Sequence, residues 1–528
     1  MKPLFFLLVV LFNFLALCPA ADYSAWSSSG SLFINTTAEG ANLPASASET
    51  NFPLLVRLNG SNFTFAQAQS DGRDLRFAIR GAGTVAQPAT VLSYQIEQWD
   101  ATNGLAAIWV KIPTITGNTR QEIKVYWGNA GAVSESSGTG VFNAANGYCC
   151  VMHLNGNVAD STGSTSPTND GATSSTAMIG ATAMNLAAGN INATGITNFP
   201  SGTNPSSSSQ IWVRARQIKT WSMPLAWGNM NAYGWNTWVM QIGFWGSPVI
   251  LPAPLTCRGP SVVSGSTALA AQEWYHVVYT TSNSPTGTGK IYVNGVLDAT
   301  ASGSSVTLTN PQALTLTANG GDIDVDEARI SNVVRSADWI KMEYENQKTL
   351  QTLVGTLVPT GSSFSVTPAT ANINEGVSAS FTGQAGGAQK VSWLRVQNGV
   401  ETVLAVDQFS LTIPASRITG SQNYVIRFRG IYPTEIKTVD VPVTVNEDIP
   451  DPIFTLTGPA SWNGRDTITV TPNITNLAAM QAKGVATFTS TWSATGVAVT
   501  KTSVPGTLTL LRAQGSGTGL AQRISTNA

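Results

Sequence analysis

Between Glu273 and Gln347 the chain sets out strands, a hairpin and one helix in an order that leaves little choice of fold class. Trp274 to Tyr279 is strand text, and apolar runs on either side of Asn294-Gly295 read as a hairpin. Asn-Gly suits a two-residue turn because both residues tolerate positive φ. Ile323-Asp324-Val325-Asp326-Glu327 then forms another strand, and it leads into a short helix from Ser336. The Ser336 hydroxyl is placed to accept an orphan N–H at the helix start. Trp339, Ile340, Met342 and Tyr344 give that helix a partly apolar face for docking on a sheet.

At 528 residues the chain exceeds one domain, and about 150 residues per domain predicts three or four. Only 11% of residues are charged, and the wealth of Thr, Val and aromatics favours strands over helices. A net charge of −1 gives no field to hold nucleic acid or an anionic membrane surface. The N-terminal MKPLFFLLVVLFNFLALCPA has a Lys, an apolar run and small residues at Cys18 and Ala20, so residues 1–20 are expected to be a signal peptide. The run is short for a membrane helix, and the bulky Leu17 argues against lipidation at Cys18. No later segment approaches the ~20 apolar residues needed to cross a bilayer. The expected destination is the periplasm, the cell surface or the medium.

Three cysteines follow the leader: Cys149, Cys150 and Cys257. One disulfide is expected in an oxidising compartment. Neighbours on a strand point to opposite faces, so one of Cys149 and Cys150 is expected to reach Cys257, and which one stays open. Two histidines and no CxxC pair disfavour a zinc site.

Residues 22–141 read as strands broken by turn-formers, with Ile108, Val110 and Ile112 facing one way and Trp109 and Lys111 the other. DGRDLRF (71–77), YQIEQWD (94–100), IWVKIP (108–113) and YWGN (126–129) resemble an uncharacterised domain family. That family heads bacterial envelope proteins, commonly just before a LamG-like domain, and it has no assigned activity. Residues 148–352 resemble such a LamG-like, concanavalin A-like jelly roll. They open on CVMHLNGNVADS and close on the hairpin, acidic strand and helix already described. The polar insert STGSTSPTNDGATSSTAM is expected to be a surface loop. Residues 362–446, with Trp393 in one strand and Tyr424 leading another, resemble an immunoglobulin-like sandwich without its disulfide. After the EDIPDP linker the pattern restarts over 453–528 with Trp492, and a Tyr strand is missing before Ala528, so this domain is expected to be incomplete. The fold class is therefore all-β: tandem β-sandwiches comprising an N-terminal sandwich, a concanavalin A-like jelly roll and Ig-like sandwiches.

Three features of the jelly roll carry candidate chemistry. Asp322, Asp324 and Asp326 alternate along one strand and are expected on one face, with Glu327 on the other. Laminarinase-like glycosidases share this broad fold and carry alternating acids, and a retaining pair needs carboxyls roughly 5–5.5 Å apart. Here aspartates stand where that motif has glutamates, which disfavours hydrolysis. The same acids offer hard oxygens to Ca²⁺, with Asp160, Asp324 and Asp326 as candidate ligands and a hydrogen-bonded turn as the plain alternative. His153 and His276 sit in strand text and read as structural. The Trp-rich stretch from Trp221 to Trp245 is the third feature, with Trp221, Trp235 and Trp238 as candidates for stacking on sugar faces and core packing as the alternative. The favoured function is an exported binding or adhesion module whose partner is a glycan or an extracellular or envelope protein. The rival is a purely structural part of an envelope assembly, and a glycosidase comes third.

Overall fold

Short alternating runs bury one face of each strand and leave the other for a second layer, and stacked sheets follow. The computed structural model describes residues 23–79, 90–229, 237–243, 250–282, 287–303, 305–414, 418, 420–458, 468–483, 489–491, 497–500, 508–513 and 525–527. The leader call, Trp235 and Trp492 lie outside the described residues.

The described residues between 23 and 363, with 385–389, form one compact unit, so the two sequence regions 22–141 and 148–352 belong to a single body. Its N-terminal part has a three-stranded antiparallel sheet of Ser48–Asn59, Leu105–Thr116 and Tyr94–Asp100. The register sets Phe52 opposite Ile112, Leu54 opposite Val110 and Val56 opposite Ile108. A second sheet runs Val358–Pro359, Ser28–Asn35, Arg120–Trp127, Arg76–Ile79, Thr90–Leu92. Trp109, on the face opposite Ile108 and Val110, is fully buried as well, in a core cluster that includes Tyr148, Val151 and Trp212 of the jelly roll.

The jelly roll stacks an eight-stranded sheet on a seven-stranded one. The acidic strand Asp322–Ser331 lies inside the first, between Thr182–Asn185 and Ser207–Gln217, and Tyr148–Met152 also pairs with it. The second carries Met223–Gly228, Thr237–Ile242 and Ala253–Arg258 side by side. Ile211, Val213, Val277, Tyr279, Ile323 and Val325 fill the space between the sheets.

The closing helix Ala337–Gln347 lies in the seam between the two parts. Its N-cap is Ser336, whose Oγ accepts from Trp339 N at 2.9 Å, as the sequence predicts. Trp339 meets Phe52 edge-on at 5.0 Å, while Ile340 joins Val278 and Tyr292 on the jelly roll. The Asn346 amide completes the edge of strand Ser48–Asn59, accepting from Leu55 N at 2.7 Å and donating to Leu55 O at 2.9 Å. Arg57 donates to the carbonyls of Asn346 and Gln347 at 3.0 and 2.6 Å, a cation on the negative end of the helix.

In the second unit, Phe364–Thr367, Ala379–Ala385 and Ser410–Ile413 form one sheet. Ala371–Asn374, Ile436–Asn446, Gln422–Ile431, Lys390–Gln397 and Val400–Val406 form the facing one. Trp393 is buried and 4.5 Å from Phe428, so the Trp strand and the Tyr424 strand pair in a sandwich core. Farther on, Leu477–Ala482 is a short helix where the sequence reading has only strands.

Candidate functional site

The acidic strand does not alternate as expected. Gln210 pairs with Arg329 and Trp212 with Asp326, so Glu327 and Ala328 together face Ile211, a β-bulge. Glu327 has φ 53°, an uncommon value for a residue with a side chain. The bulge keeps Ala328 and Ile330 in the core. It turns Glu327 to the side of Asp324, Asp326 and Arg329, toward the N-terminal part, which corrects its expected place on the opposite face.

A second bulge answers it. In strand Tyr94–Asp100, Ile96 pairs with Ile108 and Gln98 with Ala107, leaving Glu97 as the extra residue. Its carboxylate enters the same seam and accepts from Trp109 Nε1 at 2.7 Å. His153 lies between the two glutamates, its Nδ1 2.8 Å from Glu327 and 3.7 Å from Glu97. Its Nε2 is 3.2 Å from Gln95 Oε1, and the Gln95 amide nitrogen donates to Ser161 Oγ at 2.8 Å. Arg329 donates twice to Glu327, at 3.1 and 2.7 Å, and lies 4.3 Å over the Trp109 ring. Among the described residues, one ligand atom each from Glu97, His153 and Glu327 lie within 4.8 Å of one another.

Burial governs protonation here. It pushes Glu97 up to about 8, aided by the Glu327 charge. Asp326 is raised by burial and by Glu327. Burial would also raise Glu327, but the charges of His153 and Arg329 outweigh it and hold Glu327 below its ordinary value. Burial acts to lower His153, yet Glu327 and Glu97 raise it overall. His276, buried on Ser207–Gln217's neighbouring strand, is pushed down to about 3 by burial and by Arg329.

The three candidate calcium ligands are not brought together. Asp160 organises its own loop, accepting from the amides of Val151, Thr162, Ser164 and Thr165 at 2.9–3.0 Å. Asp324 binds Arg214 and Arg216 through contacts of 2.7–3.0 Å. Burial would raise its carboxyl, but Asn185 and the arginines hold it low. Asp326 accepts from the Met178 and Ile179 amides at 2.9 Å. Each acid thus has partners of its own: Asp160 and Asp326 accept backbone amides, whereas Asp324 is buried against arginines.

Trp238 is corrected too. It is 1% exposed, donates to Thr281 Oγ1 at 3.1 Å and packs 5.3 Å from Trp227, so no sugar reaches its face. Trp221 is half-buried in a turn with φ 68°. The disulfide expectation also fails: Cys149, Cys150 and Cys257 are free thiols. Both members of the pair are buried because a bulge falls at Cys149, with Cys150 opposite Ile330 and Tyr148 opposite Ser331. Burial raises Cys149 to about 12 and lifts Cys150 and Cys257 well above the ordinary thiol value.

An open site lies elsewhere on the eight-stranded sheet. A groove of about 350 Å³ runs between strands Trp274–Ser282 and Thr288–Val293 and the start of the closing helix. Cross-strand pairs Ser282/Thr288, Thr280/Lys290 and Val278/Tyr292 set a ladder of hydroxyls, a cation and a phenol on its floor. Its wall is Val334, Arg335, Ser336 and Ala337. Arg335 is held 4.0 Å over Trp339 and 4.6 Å over Tyr148, while Ser336 Oγ donates to Glu49. Among the described residues Lys290 has no ion pair, and Thr280, buried at its base, has no side-chain hydrogen bond. The alternation of Thr280, Ser282, Thr288 and Lys290 against core Tyr279 and Ile291 was available in the sequence as a period-two signal.

Residues 71–148 match the model of a domain of unknown function, DUF2341. Residues 185–341 match the concanavalin A-like lectin/glucanases superfamily. The order of the two is the one the resemblance implies. No curated protein matches the chain. Similar solved structures include domain 4 of AbnA, a GH43 extracellular arabinanase from Geobacillus stearothermophilus, in complex with arabinotriose. It is 19% identical over 37% of this chain and 97% of that one, with a TM-score of 0.29. The binding domain of Paraclostridial Mosquitocidal Protein 1 is 10% identical over 70% and 92%, at 0.31. A SAP-like pentraxin from Limulus polyphemus is 10% identical over 28% and 72%, at 0.22. At these scores the likenesses say nothing about what the chain binds. Among the described residues no helix is long and apolar enough to cross a membrane.

Proposed function

We propose that residues 23–363 form the ligand-binding part of an exported, non-enzymatic surface protein, and that the ligand is a saccharide bearing an acidic group. The observation that carries this reading is the groove beside the closing helix. It aligns three hydroxyls with Lys290 and Tyr292, and its volume of about 350 Å³ suits one or two sugar residues. Hydroxyls exchange hydrogen bonds with sugar hydroxyls, the largely buried Tyr292 closes the floor, and the ammonium meets a carboxylate or sulfate. Hydrolysis has less support. A general acid needs a raised carboxyl open to substrate, whereas Asp324 is held low by arginines and Asp326 is buried.

The test is calorimetry of the full chain against neutral and acidic polysaccharides, with and without chelator. An acidic saccharide is expected to bind, more weakly at high salt. Lys290→Glu is expected to lower affinity about tenfold or more, a loss of about 1.4 kcal/mol. Thr280→Val is expected to weaken binding without changing its salt dependence. Silence across the panel favours a purely structural role, and release of shortened saccharide favours the glycosidase.

A further inference from the structure

We propose that Glu97, His153 and Glu327 bind a divalent transition-metal ion buried in the seam between the N-terminal β part and the jelly roll. Two carboxylates and one imidazole, drawn from three separate strands or strand ends, bring their ligand atoms within 4.8 Å of one another. Both glutamates arrive through β-bulges, devices that re-aim a side chain at the expense of regular pairing. Without an ion, His153 Nδ1 donates to Glu327 at 2.8 Å. An ion would take the place of that proton, with Gln95 Oε1 accepting the proton kept on Nε2 and Nδ1 left to ligate. Trp109 Nε1 fixes Glu97 Oε2 in the same way.

Two unmet acceptors point to a missing positive charge. Glu97 Oε1 and Asp326 Oδ1 are buried and have no hydrogen-bond partner among the described residues. The carboxylates of Glu97, Asp326, Glu327 and Glu343 share this seam with Arg329 and His153, and the charges of Arg57 and Arg335 also reach them, so the case for an ion rests on the unmet oxygens and the converging ligand atoms. Mixed nitrogen and oxygen donors suit Zn²⁺ or Mn²⁺, whereas Ca²⁺ asks for six to eight oxygens. The ion would tie the two parts together, since Glu97 comes from one and His153 and Glu327 from the other. No local spacing in the sequence marks such a site, because its ligands are spread over more than 200 residues.

The test is metal analysis of the full chain after dialysis against ZnCl₂ or MnCl₂ and removal of free ion. About one ion per chain is expected, lost to a strong chelator with a fall in Tm, because binding to the folded state alone stabilises it. Co²⁺ in its place is expected to give visible d–d absorption. Glu97→Gln, close in shape and able to accept from Trp109, is expected to weaken binding by about tenfold to a hundredfold or more. Wild-type protein that holds about a tenth of an ion or less, with no Tm response to Zn²⁺ or Mn²⁺, overturns the proposal. So does unchanged binding by a natively folded Glu97→Gln. If Glu97→Gln does not fold, wild-type stoichiometry and the Co²⁺ spectrum decide.

Discussion

Replacing Arg329 with Met tests how the two parts of the first unit are held together. The guanidinium is 1% exposed, donates twice to Glu327 and lies over the rings of Trp109 and Phe142 at 4.3 and 5.2 Å. Removing one partner of a buried pair costs about 3–5 kcal/mol, because the remaining charge is left without compensation. The ring contacts add on the order of 1–2 kcal/mol, and the Met side chain returns part of this by packing. A net loss of about 4 kcal/mol is expected. Most of it belongs to the orphaned carboxylate, so the double variant Arg329→Met/Glu327→Gln is expected to be more stable than Arg329→Met by about 1–3 kcal/mol. The assay is urea unfolding with chelator present, followed by tryptophan fluorescence, since most of the tryptophans precede residue 363. A loss below about 1 kcal/mol, the scale of an exposed pair, would refute the reasoning. So would a double variant no more stable than the single one.

Two further outcomes are expected. Iodoacetamide is expected to leave Cys149, Cys150 and Cys257 unmodified in the native state and to alkylate all three after unfolding, and reductant is expected to leave Tm unchanged. Mass spectrometry checks this, and a disulfide-linked peptide pair would contradict it. His276 stays neutral in the fold down to about 3, while the unfolded chain takes up its proton near 6.5. Its contribution is therefore present above 6.5 and is lost as pH falls toward 3. His276→Phe is expected to flatten that acid limb in a series of denaturant titrations across this range, and an unchanged limb would count against it.

Periodicity carries the fold well and the site poorly. The Asn294-Gly295 hairpin, the Ser336 cap and the Trp393 strand are local chemistry, and each stands where the sequence places it. The burial of Trp109 alongside Ile108 is not legible in the sequence, because alternation shows which residues share a face, not whether both faces are covered. Glu97, Glu327 and Cys149 all sit at bulges, which shift the period by one residue and leave no mark in the text. Trp238 illustrates a different limit: a large aromatic serves a core and a sugar face equally well, and only burial separates the two.

The most direct test of the central claim is a crystal soaked with the tightest-binding acidic saccharide. Density is expected in the groove, with the acidic group at Lys290 and sugar hydroxyls within reach of Thr280 and Thr288. Density instead elsewhere on the jelly roll, away from Lys290 and Thr280, would contradict the account.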